Sequence, residues 1–266
     1  MHPKIHLYTI CWNEEYMLPY FFKHCDSLVD KYVFYDDGST DNTLSILSNH
    51  PKVEIRTLPR SNNESYILDA QKLHNDCWKE ARGIVDWVIY TAVDEFLYAP
   101  NLLDYIKECN QKGITAIPAL GYQMISNHLP TKDESLLLQV AAGCPWNKMN
   151  KLSLFNPNQI EESNFLEGRH NANPKGMVVY PDKDLLLNLH YKYLDFKKTF
   201  DRHNELQTKL GATDKKNGWA HKYSWSKEKF KEDWDFFENG AHANIFDAAY
   251  NPDLMHSTTT ERWWRK

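Results

Sequence analysis

Three short acidic runs carry the chemistry that this sequence could perform. Asp36-Asp37-Gly38-Ser39-Thr40-Asp41 follows the apolar Tyr32-Val33-Phe34, Trp12-Asn13-Glu14-Glu15 follows Ile5 to Ile10, and Asp94-Glu95 follows Trp87 to Thr91. Carboxylates at the ends of strands can accept paired hydrogen bonds from a base and from ribose hydroxyls. They can also hold a hard divalent cation against phosphate oxygens. Asp36 and Asp37 read as the nucleoside-facing pair, one on the ligand and the other stabilising the turn, with no choice between them. Thr9 and Trp12 are placed to flank a base, Trp12 by stacking or, on the plainer reading, by packing on the sheet. Asn13 belongs to the same turn, and Glu14 either reaches the nucleoside or opens the next helix, whose dipole suits an acid. Asp94 stands where a cation would be held, or caps a turn. Of the basic residues Lys148, Lys151, Arg169 and Lys192, Lys151 is the foremost candidate to offset phosphate charge. Three such runs converging at one sheet edge point to a nucleotide-sugar site.

The elements that must position these runs alternate. Strand patterns at 5–10, 32–34, 53–57, 87–91 and 114–117 are separated by helical spacings over 17–29, after 43, over 67–81 and over 102–109. Such alternation predicts an α/β fold with a mostly parallel sheet and helices on both faces. The second half is less regular. Strands are expected at 151–155, 177–180 and 185–189, a polar loop at 156–175, and helices around Phe196 to Leu210 and Phe230 to Phe237. The expected division is a domain over 1–210, with a nucleotide-binding half to 118 and an acceptor half beyond it. A helical extension over 211–266 follows.

Composition excludes several classes. The net charge is −5 with no long basic stripe, which argues against nucleic acid as a partner. No apolar run approaches the ~18 residues that a membrane span needs, and no signal-peptide pattern opens the chain. Five scattered cysteines without a Cys-x-x-Cys pair suit reduced thiols and a cytoplasmic setting. The Trp-rich basic tail, Thr258 to Lys266, either packs on the fold or touches a membrane surface. Aromatic residues are 14% of the chain; such an excess suits the apolar faces of sugars, although core packing is the plainer reading for any one ring.

These motifs resemble a glycosyltransferase of the GT-A fold, of the family 2 type. Asn13-Glu14-Glu15, Asp36-Asp37-Gly38-Ser39-Thr40-Asp41 and Asp94-Glu95-Phe96 carry the resemblance. Lys151 to Pro157, Gly168-x-His170 and His190-Tyr191 before an aromatic-rich helix extend it to roughly residues 5–205. The resemblance implies a GT-A nucleotide-diphospho-sugar transferase fold and a UDP-sugar or related donor. It also implies inversion at the anomeric carbon and a Mn2+ or Mg2+ ion on Asp94, with His190 as a second ligand. It places the base in the second half, where Glu167 is the first candidate and His170 the second. The family usually carries Asp-x-Asp before Glu-Phe. Here the first Asp is Ala92, which thins the expected metal site or draws a ligand from elsewhere, and leaves metal dependence open.

The sequence therefore reads as a transferase that moves a sugar to a glycan or lipid-linked saccharide in surface-polysaccharide assembly. A nucleotidyltransferase would show a Gly-rich basic loop after the first strand, which Trp12-Asn13-Glu14-Glu15 is not. A non-catalytic sugar-nucleotide or glycan-binding module is the reading that Ala92 keeps alive.

Overall fold

The computed structural model describes residues 2–61, 64–257 and 262–265. Its first half alternates as expected: β1 (Ile5–Cys11), α1 (Leu18–Cys25), β2 (Lys31–Asp36), α2 (Thr43–Ser48), β3 (Val53–Thr57), α3 (Tyr66–Asp76) and β4 (Trp87–Tyr90). Then come β5 (Glu95–Tyr98), α4 (Leu102–Gln111), β6 (Ala116–Ser126), α5 (Leu136–Gln139), β7 (Gly143–Pro145) and β8 (Lys151–Phe155). They are followed by the two-stranded ribbon of β9 (Ile160–Glu162) and β10 (Lys175–Gly176), and by β11 (Leu187–Leu194). Helices α6 (Phe196–Gln207), α7 (Ala212–Lys216), α8 (Lys227–Gly240) and α9 (Pro252–Ser257) close the chain.

The main sheet runs β3-β2-β1-β4-β8-β6-β11-β5, with β7 beside β6. Strands β3, β2, β1 and β4 are parallel, and so are β6 and β11; β8 and β5 enter antiparallel. Side chains of a strand point alternately to the two faces, and here each face is covered. Tyr32, Phe34, Trp87 and Ile89 pack to one side with α1 residues Leu18, Phe21 and Phe22. Val33, Tyr35, Val88 and Tyr90 pack to the other with Leu73 of α3 and Trp78 just beyond it. The alternation explains why these strands read as near-continuous apolar runs.

Two differences from the sequence reading have clear causes. Residues 177–180 form no strand. Val179 meets Thr115 through single bonds, its carbonyl accepting from the Thr115 amide (2.9 Å) and its amide donating to Thr115 Oγ1 (2.8 Å), and no ladder continues. Residues 95–98 do form one, because β11 pairs with them.

Residues beyond 210 are stitched onto the first half of the chain. The fully buried Asp214 carboxylate accepts from the Tyr66 amide (2.8 Å), the Gly211 amide (3.0 Å) and the Ser65 hydroxyl, so it caps α3 from the far end of the chain. Buried hydrogen bonds to a carboxylate contribute more than neutral ones. Asp214→Ala is therefore expected to cost about 2–4 kcal/mol of stability, measured by chemical denaturation. A loss below half of that would mean that solvent replaces the cap. The described tail is packed too: Trp264 is buried with Nε1 donating to Asp184 (2.9 Å), and Arg262 and Arg265 pair with the same carboxylate. Thr258 to Glu261 and Lys266 lie outside the described residues. No helix among the described residues is long and apolar enough to cross a membrane.

Candidate active site

The first two acidic turns are laced together at the carboxyl edge of β1 and β2. Asn13, with φ +51°, accepts from the Thr40 amide (2.7 Å) on its side-chain oxygen, and its backbone N–H donates to the Ser39 hydroxyl oxygen (2.9 Å). The Glu14 amide donates to Thr43 Oγ1 (2.6 Å), and the Glu15 amide to Asp41 (3.1 Å). Asp41 also accepts from the Thr43 amide, although the residue at the N-cap position of α2 is Asn42. The choice left open between the two aspartates is settled for the turn. Asp36 accepts from the Gly38 amide (2.9 Å) and the Ser39 amide (3.1 Å), so its carboxylate is occupied in shaping the bend. Gly38 takes the left-handed φ of +74° that the bend needs. Asp37 instead faces cations, with Lys209 Nζ at 3.0 Å and Arg60 at 3.7 Å. Thr9 is fully buried within β1, its hydroxyl on its neighbour's carbonyl.

Helix α6 and the turn after it lie across this edge. Arg202 donates to the Trp12 carbonyl (2.6 Å) and pairs with Glu14 (3.0 Å). Arg202 and Lys209 also stand over the Trp12 ring, 5.0 and 4.7 Å from its centroid. Burial raises the Glu14 carboxyl to about 7, against the opposing pull of Arg202.

The third turn meets the second half through strand register. Pairing of β5 with β11 sets His190 opposite Glu95, and the Asp94 carbonyl accepts from the Tyr191 amide (2.7 Å). This brings His190 Nε2 to 3.4 Å from Asp94 Oδ2. Burial alone would raise the Asp94 carboxyl, yet His190 and Lys192 hold it below its ordinary value. The next residue, Glu95, turns inward. It pairs with Lys151 (2.6 Å) and Arg169 (2.7 Å), all three side chains no more than 5% exposed, and Arg169 also donates to the Tyr90 carbonyl (2.7 Å). Lys151 is thus engaged by Glu95 at the wall of the site, not extended into open space.

Asp94, His190, Lys151, Glu167 and His170 all line one cavity of about 680 Å3, which reaches from Tyr66 on α3 to Trp219 and Tyr223 beyond α7. A second cavity of about 600 Å3, between the Asn13 turn and α6, shares Asp94 and Lys192 with the first. The structure therefore brings both expected cation ligands and both candidate bases to one space, while Thr9 and Asp36 lie inside the fold. The Glu167 carboxylate, half-buried, makes no side-chain hydrogen bond or ion pair among the described residues. His170 Nδ1 bonds the Lys148 carbonyl, and burial together with Lys151 holds its ring down at about 3. Gly168 lies so close that a Cβ there would stand 2.6 Å from His170 Nε2, and its φ of +63° disfavours a side chain as well.

Residues that the sequence reading passed over lie at or just behind the wall of this space. His203 is a buried imidazole in the cavity wall among Tyr193, Tyr223 and Phe230. Gln123 lies behind His190, and its one visible signal is a polar side chain inside the apolar strand β6.

The fit of a divalent cation is tested by Asp94 and His190. Two atoms each about 2.1 Å from one ion stand about 3.0–3.5 Å apart, which brackets their separation. Among the described residues no group of three His, Cys, Asp or Glu side chains is placed to hold an ion. Two protein ligands completed by substrate phosphates and water is a usual way of binding Mg2+, so the pair fits a cation that arrives with a diphosphate.

A partly parallel sheet flanked by helices, with acidic turns gathered at its carboxyl edge, is the α/β arrangement expected of a GT-A-type fold. Residues 29–250 match glycosyltransferase family 92, and the chain belongs to that family. The transferase class is the expected one; the matched family is 92, where the motifs resemble family 2. Among solved structures, S. aureus TarS 1–349 aligns at 14% identity over 77% of this chain and 65% of that one, with a TM-score of 0.39. The same fragment in complex with UDP-GlcNAc aligns at 13% identity over 98% and 79%, also at 0.39. Glucosyl-3-phosphoglycerate synthase from Mycobacterium tuberculosis, with Mn2+, UDP and phosphoglyceric acid, aligns at 16% over 45% and 43%, at 0.31. The chain spans just under two thirds of the first of these. Similarity at this level says nothing of substrate. No curated protein sequence matches the chain significantly.

Proposed function

We propose that this glycosyltransferase moves a sugar from a UDP-sugar to a hydroxyl of a glycan or lipid-linked saccharide, with inversion and with one divalent cation, Mn2+ or Mg2+. The observation that carries this reading is the Asp94–His190 pair at the place where two cavities meet. Surface-polysaccharide assembly is the setting proposed, and the five buried, unpaired cysteines support a cytoplasmic one.

When bound, the cation would neutralise the diphosphate that leaves. Asp94 and His190 would hold it. Asp37 reads the nucleoside, with Trp12 at its side. Glu167 takes the proton from the acceptor hydroxyl as that oxygen bonds to the anomeric carbon; the bond from that carbon to the diphosphate oxygen breaks, and its electron pair leaves with the diphosphate. His170 is the second candidate, but an imidazole held at about 3 is a weak base at neutral pH. Lys151 acts indirectly, by fixing Glu95 beneath the cation ligands.

Glu167→Gln keeps size and polarity but cannot accept the proton. Donor binding should stay within about twofold, and transfer should fall about 10²–10⁴-fold. Unchanged transfer would remove Glu167 as the base. Ala92 favours one rival, a module that binds without turnover; it predicts calorimetric binding of UDP with neither sugar transfer nor donor hydrolysis.

A further inference from the structure

Strand register places His190 between two polar partners. Glu95 lies across from it on β5, and Gln123 lies across from it on β6. Gln123 is fully buried, and its amide is used at both ends. Its Nε2 donates to the Met124 carbonyl (2.9 Å) and to the His190 carbonyl (3.0 Å), while its Oε1 stands 2.7 Å from His190 Nδ1.

This network fixes the Gln123 amide and a proton on Nδ1, whatever the charge of the ring. Carbonyl oxygens only accept, so the side of the amide that faces two of them must be the NH2 group. The amide oxygen then faces the imidazole, and it also only accepts. Nδ1 must therefore carry the proton. A neutral imidazole has one N–H, which leaves a lone pair on Nε2. That lone pair faces Asp94 Oδ2 at 3.4 Å. A lone pair opposite a carboxylate is repulsive unless a positive charge joins them. The reverse tautomer would put an N–H on Nε2, hydrogen-bond it to Asp94 and occupy the position with a proton.

We propose that Gln123 is a positioning residue that sets the tautomer of His190, holding the proton on Nδ1 so that Nε2 is presented as a cation ligand beside Asp94. The inference rests on the reading of Asp94 and His190 as a cation site. The partner of a ligating imidazole's second nitrogen commonly orients the ring and raises its affinity for the ion. Here the sheet supplies that partner from the neighbouring strand, and the same amide ties the partner to the backbone of His190 itself.

Two variants separate this role from simple packing. Gln123→Met keeps the length of the side chain and cannot accept from Nδ1. Gln123→Glu keeps the acceptor. The first readout is long-range nitrogen–proton NMR of the metal-free protein labelled on histidine, with the His190 signals assigned by their loss in His190→Asn. The expected result is an Nδ1–H imidazole in the wild type and in Gln123→Glu, and an Nε2–H imidazole in Gln123→Met. The second readout is Mn2+ affinity in the presence of UDP, by electron paramagnetic resonance. It should fall about 10–100-fold in Gln123→Met and much less in Gln123→Glu, with the fold of both checked by circular dichroism. An Nε2–H wild type, or a Gln123→Met protein with wild-type tautomer and Mn2+ affinity, overturns the proposal. A wild type that binds no Mn2+ with UDP overturns the cation reading itself, while the tautomer of metal-free His190 still decides whether Gln123 sets it.

Discussion

Asp94→Ala is expected to lose sugar transfer at least a hundredfold, by about 3 kcal/mol or more of transition-state stabilisation, and to weaken UDP binding only when Mn2+ is present. The change removes a carboxylate from the one place where both cavities meet and leaves His190 Nε2 without its neighbour. It leaves the fold in place, because the bond that ties this turn to β11 comes from the Asp94 carbonyl and survives in alanine. Calorimetric titration of wild type and variant with UDP, with and without Mn2+, reads the binding arm, and hydrolysis of UDP-glucose or UDP-GlcNAc reads turnover. Metal-independent UDP binding by the wild type would mean that the Ala92 position marks a variant that works without the ion. Full activity in Asp94→Ala would end the proposed role of this carboxylate.

Glu95→Gln is the largest expected loss of stability. Lys151 and Arg169 are both buried and both rely on this one carboxylate. Removing one partner of a buried ion pair strands charge where water cannot reach it, at about 3–5 kcal/mol. Urea denaturation at neutral pH should show that loss at an unchanged m-value; a loss under about 1 kcal/mol would mean that the cations find other partners. The pH dependence has a definite sign. Burial would raise the Glu95 carboxyl, but Lys151 and Arg169 outweigh it and hold it far below its ordinary value. At acidic pH the unfolded chain therefore binds a proton here that the native state does not. The stabilisation is complete above the unfolded value of about 4.3 and drains away as the pH falls below it. Glu95→Gln lacks this slope, so the gap between wild type and variant should narrow below about pH 4.

What was legible in the sequence follows from what each feature depends on. The strands 5–11, 31–36 and 87–90 are buried locally on both faces, and their apolar runs announce it. The acidic turns were visible because their residue types and their strand ends are adjacent in the chain. Which aspartate bends the turn was not, because the answer lies in amide directions at Gly38 and Ser39. Lys151 was recognisable as a basic residue at a strand start, yet its partner Glu95 is 56 positions away and only the antiparallel entry of β8 joins them. Asp214 gave no signal at all: an acid in a charged loop looks solvated until α3 is found resting on it. Only the family resemblance joins His190 to Asp94 in the sequence; the contact itself depends on the register of β11 with Glu95 to Tyr98, a strand that the residue pattern does not announce.

That same strand carries a consequence for synthesis. The sheet path ends at β5, whose partner among the described residues is β11. The turn with Asp94 and Glu95 leaves the ribosome early, but the strand that fixes it follows about 90 residues later, at Leu187–Leu194. A nascent chain stopped between the two already holds every acidic turn and has no working centre. The edge at β5 is unpaired until β11 is made, and on the proposed reading of Asp94 and His190 the cation pair is assembled only then.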